Sequence, residues 1–287
     1  MLDLAFTFLN GVARGLLLFT MAAGLSLLFG LMNVLNLAHG ALLLVGGYIA
    51  VSLSLGFAEG IYIAAPLSIV IGAVLGVGLF FAVKPVVHRG HLDQGLLTLG
   101  FAFIFADVAK IVWGKNVYVP SPPAVFAHSI SLLGQPYPLY RLIVIGLGVI
   151  IAVGVFFVFE RTRLGAIVRA GVSDLEMVAA LGFRVSLITG GVFAGAAALA
   201  AFGGVIGAPI LGVRPGLDMD MLILALVVVV IGGLGSLKGA LLGALLIGEV
   251  QTVGVVLLPD VSSFLLFGVM ALILVFKPAG LFGEVIR

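Results

Sequence analysis

Long apolar runs separated by short polar stretches dominate the chain. They cover about 7–30, 41–57, 61–83, 95–113, 139–159, 187–210, 220–232, 240–258 and 262–277. A helix rises ~1.5 Å per residue, so about 20 apolar residues cross the ~30 Å of bilayer hydrocarbon. The seventh run is too short to cross alone and reads as one half of a broken helix. Eight or nine membrane segments are therefore expected. The short alternating segments of a β-barrel are absent. The pattern predicts an all-α fold, a polytopic transmembrane helical bundle with glycine-interrupted helices. No linker or low-complexity stretch divides it, so one domain over 1–287 is the simplest organisation.

Composition reinforces this picture. Hydrophobic residues make up 63% and charged residues 9%, with mean hydropathy +1.38. Covering a soluble surface takes roughly 25% charged residues. The net charge of +2 is spread along the chain and points to no nucleic-acid partner. With no cysteine, disulfides, thiolate nucleophiles and cysteine-ligated metals are excluded. The N-terminus carries Asp3 and no early Lys or Arg, so the first run reads as a retained span rather than a cleaved signal.

Charge also sets an expected orientation, because cytoplasmic loops collect Lys and Arg. With the N-terminus outside, the inner side gathers Lys84, Arg89, Arg161, Arg163, Arg169, Arg184, Lys238, Lys277 and Arg287. The outer side holds Arg14, Lys110, Lys115, Arg141 and Arg214, nine against five. The C-terminus is then cytoplasmic. The outer loop 114–138 holds four prolines before Pro138 closes it. Proline favours extended, rigid turns, which suit either a docking surface or a plain connection between spans.

Three polar constellations interrupt the apolar background. In Gly24–Gly40 (GLSLLFGLMNVLNLAHG), Asn33, Asn36 and His39 are spaced by three and would share one face of a helix. Such groups line a water-filled path or cap a helix end, and both roles remain open. Gly40 is a candidate break in this run. His39 lacks the companions of a metal site, since His88, His91 and His128 fall in loops. The second constellation, Ile231–Gly248 (IGGLGSLKGALLGALLIG), has candidate breaks at Gly235, Ser236 and Gly239. Paired interrupted helices mark the path in repeat-built transporters. It lacks the spacing of a phosphate-binding loop. The third is the inner loop 160–184. Ser173 and Glu176 fit a capping box for a short helix over about 174–181 that Gly182 would end. Leu175, Val178 and Ala179 give that helix an apolar face suited to docking in a groove of a partner. Finally, Glu249 follows Lys238 by eleven residues, ~16 Å along a helix and so near mid-membrane. It must be protonated, hydrogen-bonded or facing water.

These residues resemble a known family. GLSLLFGLMNVLNLAHG is similar to the N-terminal signature of Liv-type permeases, the membrane subunits of ABC importers for branched-chain amino acids and related hydrophobic or amide compounds. Asp174-x-Glu176-x-x-Ala179-Ala180-x-Gly182 is similar to the family's ATPase-coupling segment, and IGGLGSLKGALLGALLIGE to its late helix pair. The resemblance implies a non-catalytic subunit of a bacterial cytoplasmic membrane that moves substrate by alternating access. It implies four kinds of company: a second homologous permease, two cytoplasmic ATPases holding ATP and Mg, an external substrate-binding protein, and the lipid bilayer. No cofactor is expected in this chain. Asp174, Glu176, Val178, Ala179, Ala180 and Gly182 would form the ATPase contact, and Asn33, Asn36, His39 and Glu249 would line the path. The cargo would be a branched-chain or other hydrophobic amino acid; urea, short amides and aromatic acids are served by related systems. Those path residues include no cationic clamp for a carboxylate. A proton-coupled secondary carrier using Glu249 is the alternative, and the docking helix argues against it.

Overall fold

A computed structural model describes residues 2–32, 34–56, 59–132 and 134–283. Among them nine apolar helices match the nine runs: α1 (Leu2–Met32), α2 (His39–Gly56), α3 (Gly60–Val83), α4 (His91–Trp113), α5 (Leu139–Arg161), α8 (Val185–Leu211), α9 (Leu217–Gly232), α10 (Leu237–Leu257) and α11 (Ser262–Phe276). Two shorter helices, α6 (Arg163–Ser173) and α7 (Leu175–Ala180), lie between α5 and α8. A hairpin of β1 (Ser129–Leu132) and β2 (Gln135–Pro138) precedes α5. Seven helices are long and apolar enough to cross a membrane; α9 has 16 residues and α11 has 15. The chain is a multi-pass membrane protein.

Small residues hold the bundle together, because apolar side chains gain nothing by leaving lipid and close backbone contact must supply the attraction. The seam between α1 and α10 is the clearest case. Gly248 packs on Gly11 and Gly15, and Gly15 packs on Ala244, so the two helices run antiparallel. Gly72 and Gly76 of α3 meet Ala197 and Phe193 of α8 in the same manner. α1 is buried along most of its length, whereas α5 turns most of its surface outward.

The bundle has two distinguishable ends. At one, Phe6 of α1 stacks on Tyr137 of the hairpin, and Trp113 at the end of α4 stacks on Tyr48 of α2 at 4.6 Å. At the other, Lys84 donates to Ser186 at 3.3 Å, Lys238 approaches Glu160 at 4.0 Å, and Gly30 packs on Gly235. The segment after α11 returns to this second end, where the Leu281 and Phe282 amides donate to the Ile231 and Gly232 carbonyls. Those bonds satisfy the last carbonyls of α9, which a helix end otherwise leaves open. The start of α1 and the segment 277–283 therefore lie at opposite ends.

Two helices start deep inside. The His39 ring contacts the Met21 carbonyl at 3.1 Å, and Met21 sits eleven residues, about 16 Å, before the end of α1. α9 begins at a similar depth, since Gly40 packs on the Asp218 backbone. The approach to α9 is pinned from the hairpin end by paired backbone bonds between Tyr118 and Val213, 2.9 and 2.7 Å.

Candidate functional site

The first interrupted run is not the continuous helix that its spacing by three suggests. Residues 34–38 are non-helical, so Asn36 and His39 share no helical face; Asn33 lies outside the described residues. Local bonding outcompetes the helix here, as Asn side chains readily do. Asn36 Oδ1 accepts from the Ala38 amide at 3.1 Å. From α4, Thr98 Oγ1 accepts from the Leu37 amide at 3.0 Å and donates to the Leu35 carbonyl at 3.3 Å. Asn36 and His39 are fully buried, and neither borders the cavity described below. Gly40 is not the break. It lies in the first turn of α2, and its missing side chain lets α9 approach.

The second interruption is a tight turn between α9 and α10. Gly235 adopts φ +79°, which a side chain would strain, and Ser236 is the N-cap of α10, its Oγ accepting from the Gly239 amide at 3.1 Å. Gly239 is therefore a helical residue rather than a break, and its bare Cα packs on Gly232.

Between these elements a cavity of about 460 Å³ occupies the half of the bundle nearest the hairpin. Arg14 of α1, the first half of α9, the last half of α10 and the first half of α11 form its walls. Its lining is largely apolar, with Arg14, Gln251, Ser262 and the pair Arg214–Asp220, bonded at 2.7 Å, as polar members. Arg14 is not an outer-loop charge, as the charge count assumed. It sits twelve residues into α1, about 18 Å along the helix, and its Nε is buried without a hydrogen bond. Glu249 sits on the adjacent seam. Its carboxylate packs against the bare Cα of Gly11 on α1, and neither oxygen has a hydrogen-bond partner among the described residues. Among the described residues Arg14 and Glu249 form no ion pair.

At the opposite end, the segment between α5 and α8 forms α6 and α7. Asp174, not Ser173, is the N-cap of α7: its Oδ1 accepts from the Met177 amide at 2.8 Å. The Ser173 hydroxyl instead faces the Arg169 carbonyl in the last turn of α6. Asp174 is the shorter acid, and from the extended N-cap position it reaches the third helical amide directly. Val178 is buried and anchors the helix, while Glu176, Ala179 and Ala180 are exposed. Gly182, at φ +87°, ends it. Met177, Leu181 and Phe183 leave an apolar patch open to solvent, 57%, 68% and 45% exposed.

A family model described as "Branched-chain amino acid transport system / permease component" matches residues 7–274. The chain belongs to this permease family. Its relatives include the high-affinity branched-chain amino acid transport system permease protein BraD of Pseudomonas aeruginosa, 27% identical over 96% of this chain and 94% of the relative. LivH of Escherichia coli K12 is 26% identical over the same shares. A probable branched-chain amino acid transport permease protein LivH of Methanocaldococcus jannaschii is 26% identical, covering 93% of this chain and 89% of the relative.

The permease ties its β1–β2 hairpin directly to α1. Tyr137 and Arg141 both donate to Asn10 Oδ1. Burial raises the Tyr137 phenol above its ordinary pKa, with Arg141 pulling the other way, so the hydroxyl stays a neutral donor. These bonds join the hairpin end to the helix that carries Arg14.

Proposed function

We propose that the permease is the membrane subunit of a binding-protein-dependent ABC importer, moving branched-chain or other hydrophobic amino acids by alternating access. It would pair with a second homologous permease and bind two cytoplasmic ATPases, which hold ATP and Mg. An external protein would deliver substrate to the hairpin end. The observation that carries this reading is the solvent-open apolar patch on α7 in a chain whose residues 7–274 match the permease family. An exposed apolar patch of this kind suits insertion into a groove of a partner.

Orientation follows from charge. With Arg14 removed from the outer tally, eight basic residues on the α7 side face four on the hairpin side among the described residues. The hairpin end is then external and α7 cytoplasmic. In alternating access, α7 follows the ATPases as a rigid body, and the recessed starts of α2 and α9, held by few local bonds, are where the two halves of the path re-pack. Asn36, His39 and Glu249 act at these seams. Purification of the tagged permease from its native membrane in mild detergent tests the partner set. Two ATPase polypeptides and a second permease should co-purify, and a preparation containing this chain alone would refute it.

A further inference from the structure

Arg14 is a cation placed where the bilayer makes cations costly, several kcal/mol for one near mid-membrane. Such groups are ordinarily paired, yet among the described residues Arg14 makes no hydrogen bond and no ion pair. Charges around the cavity are few. Arg214 and Asp220 neutralise each other at 2.7 Å. Glu249 lies on the α1–α10 seam outside the cavity lining, with neither carboxyl oxygen hydrogen-bonded among the described residues. The cavity lining therefore carries one uncompensated cation, Arg14, which is also an unanswered donor. It also offers one unanswered acceptor, because Gln251 Oε1 on the facing helix α10 is buried without a partner. The remaining wall is apolar, with Leu217, Met221, Leu224, Val255, Leu266 and Phe267.

We propose that this cavity is an intramembrane substrate subsite in which Arg14 binds the carboxylate and Gln251 Oε1 accepts from the ammonium of a zwitterionic amino acid. The apolar side chain of the cargo lies against α9, α10 and α11. A guanidinium presents paired donors in a fork that matches a carboxylate, and a zwitterion keeps the total charge of the site unchanged. An anion without an ammonium would leave the Gln251 Oε1 acceptor unanswered, and an amide would leave Arg14 without a counter-charge. The hairpin-to-α1 link through Asn10 makes Arg14 the natural first contact after release from an external donor. The proposal rests on reading the chain as a hydrophobic amino-acid permease.

The chain has no cysteine, so Arg14→Cys can be modified without background from it. The importer assembled with Arg14→Cys is reconstituted into liposomes, and uptake of radiolabelled leucine is followed. Loss of a charged hydrogen bond should lower the uptake rate roughly 10- to 100-fold. Treatment with 2-aminoethyl methanethiosulfonate, which restores a cation on a similar arm, should recover most of it. The anionic sulfonatoethyl reagent should not. Arg14→Lys, which keeps the charge, should retain uptake within about tenfold, and loss of uptake there equal to that of the cysteine variant would overturn the proposal. So would wild-type uptake in Arg14→Cys, failure of either reagent to label it, or equal recovery with both. If the unaltered importer moves no leucine, the function reading itself fails, which separates the two outcomes.

Discussion

The α1–α10 seam gives the sharpest test of how the bundle is held. A Cβ at Gly248 would fall onto the Gly11 carbonyl and the Gly15 backbone, and every atom it meets belongs to the opposing helix rather than to a side chain that can swing away. Gly248→Ala therefore forces the two helix axes apart along the whole contact, including the stretch where the Glu249 carboxylate lies on Gly11. Overpacking of this kind costs about 1–3 kcal/mol. At about 2–4 °C per kcal/mol for a chain of this size, the melting temperature should fall by about 2–12 °C. Gly78 of α3 and Gly146 of α5 are the controls, since a Cβ at either meets nothing within 4 Å. Alanine there raises helix propensity and should be neutral or stabilising by about 0.5–1 kcal/mol. Thermal unfolding of the three variants in one detergent, followed by monodisperse fraction on size exclusion, compares them directly. Equal melting temperatures for Gly248→Ala and the two controls would refute the idea that the seam is set by backbone approach.

Two further outcomes follow from local geometry. Glu176→Arg with Ala179→Glu alters only exposed positions of α7, so the permease should fold and insert normally. It should lose its ATPases on purification and lose at least about tenfold in uptake. Retained co-purification together with full transport would defeat the docking role. Thr98→Val removes the acceptor for the partly buried Leu37 amide, which costs about 1 kcal/mol or somewhat more at the break before α2. Hydrogen exchange over 34–38 should accelerate by about one order of magnitude, in line with what that energy implies; unchanged protection would show that Thr98 does not hold the segment.

Hydropathy made the bundle legible, because nothing except a helix satisfies a long apolar backbone in lipid. Every one of the nine runs became a helix within a few residues of the expected limits, including the short α9. The short helix α7 was legible as an element, although its cap is Asp174 rather than Ser173, and Leu175 and Val178, expected to face a partner, turn toward the bundle instead. Depth was not legible. Spacing by three in Asn33, Asn36 and His39 reads as a helical face, and only the bonds from Thr98, sixty residues away, show that the backbone leaves the helix there. Gly40 and Gly239 read as breaks because glycine serves both looseness and close approach, and the sequence does not say which; here both are sites of close approach. Arg14 was misplaced for a different reason. A loop count of basic residues assigns every arginine to a surface, yet the first apolar run begins near residue 7 and continues past Arg14 on both sides. That mismatch is a signal carried by the sequence itself. Gln251, two residues from Glu249, faces the cavity from α10, while the Glu249 side chain packs on Gly11 of α1.

The central claim is that partner ATPases, acting through α7, drive hydrophobic amino acids through this chain. The most direct measurement is leucine uptake into liposomes carrying the complete importer, with ATP supplied on the α7 side and the loaded binding protein on the hairpin side. The account predicts accumulation that requires ATP, persists when an ionophore collapses the proton gradient, and disappears with Glu176→Arg/Ala179→Glu. Uptake that continues without ATP and stops with the ionophore would contradict it, and would point to Glu249 as the coupling group of a proton-driven carrier.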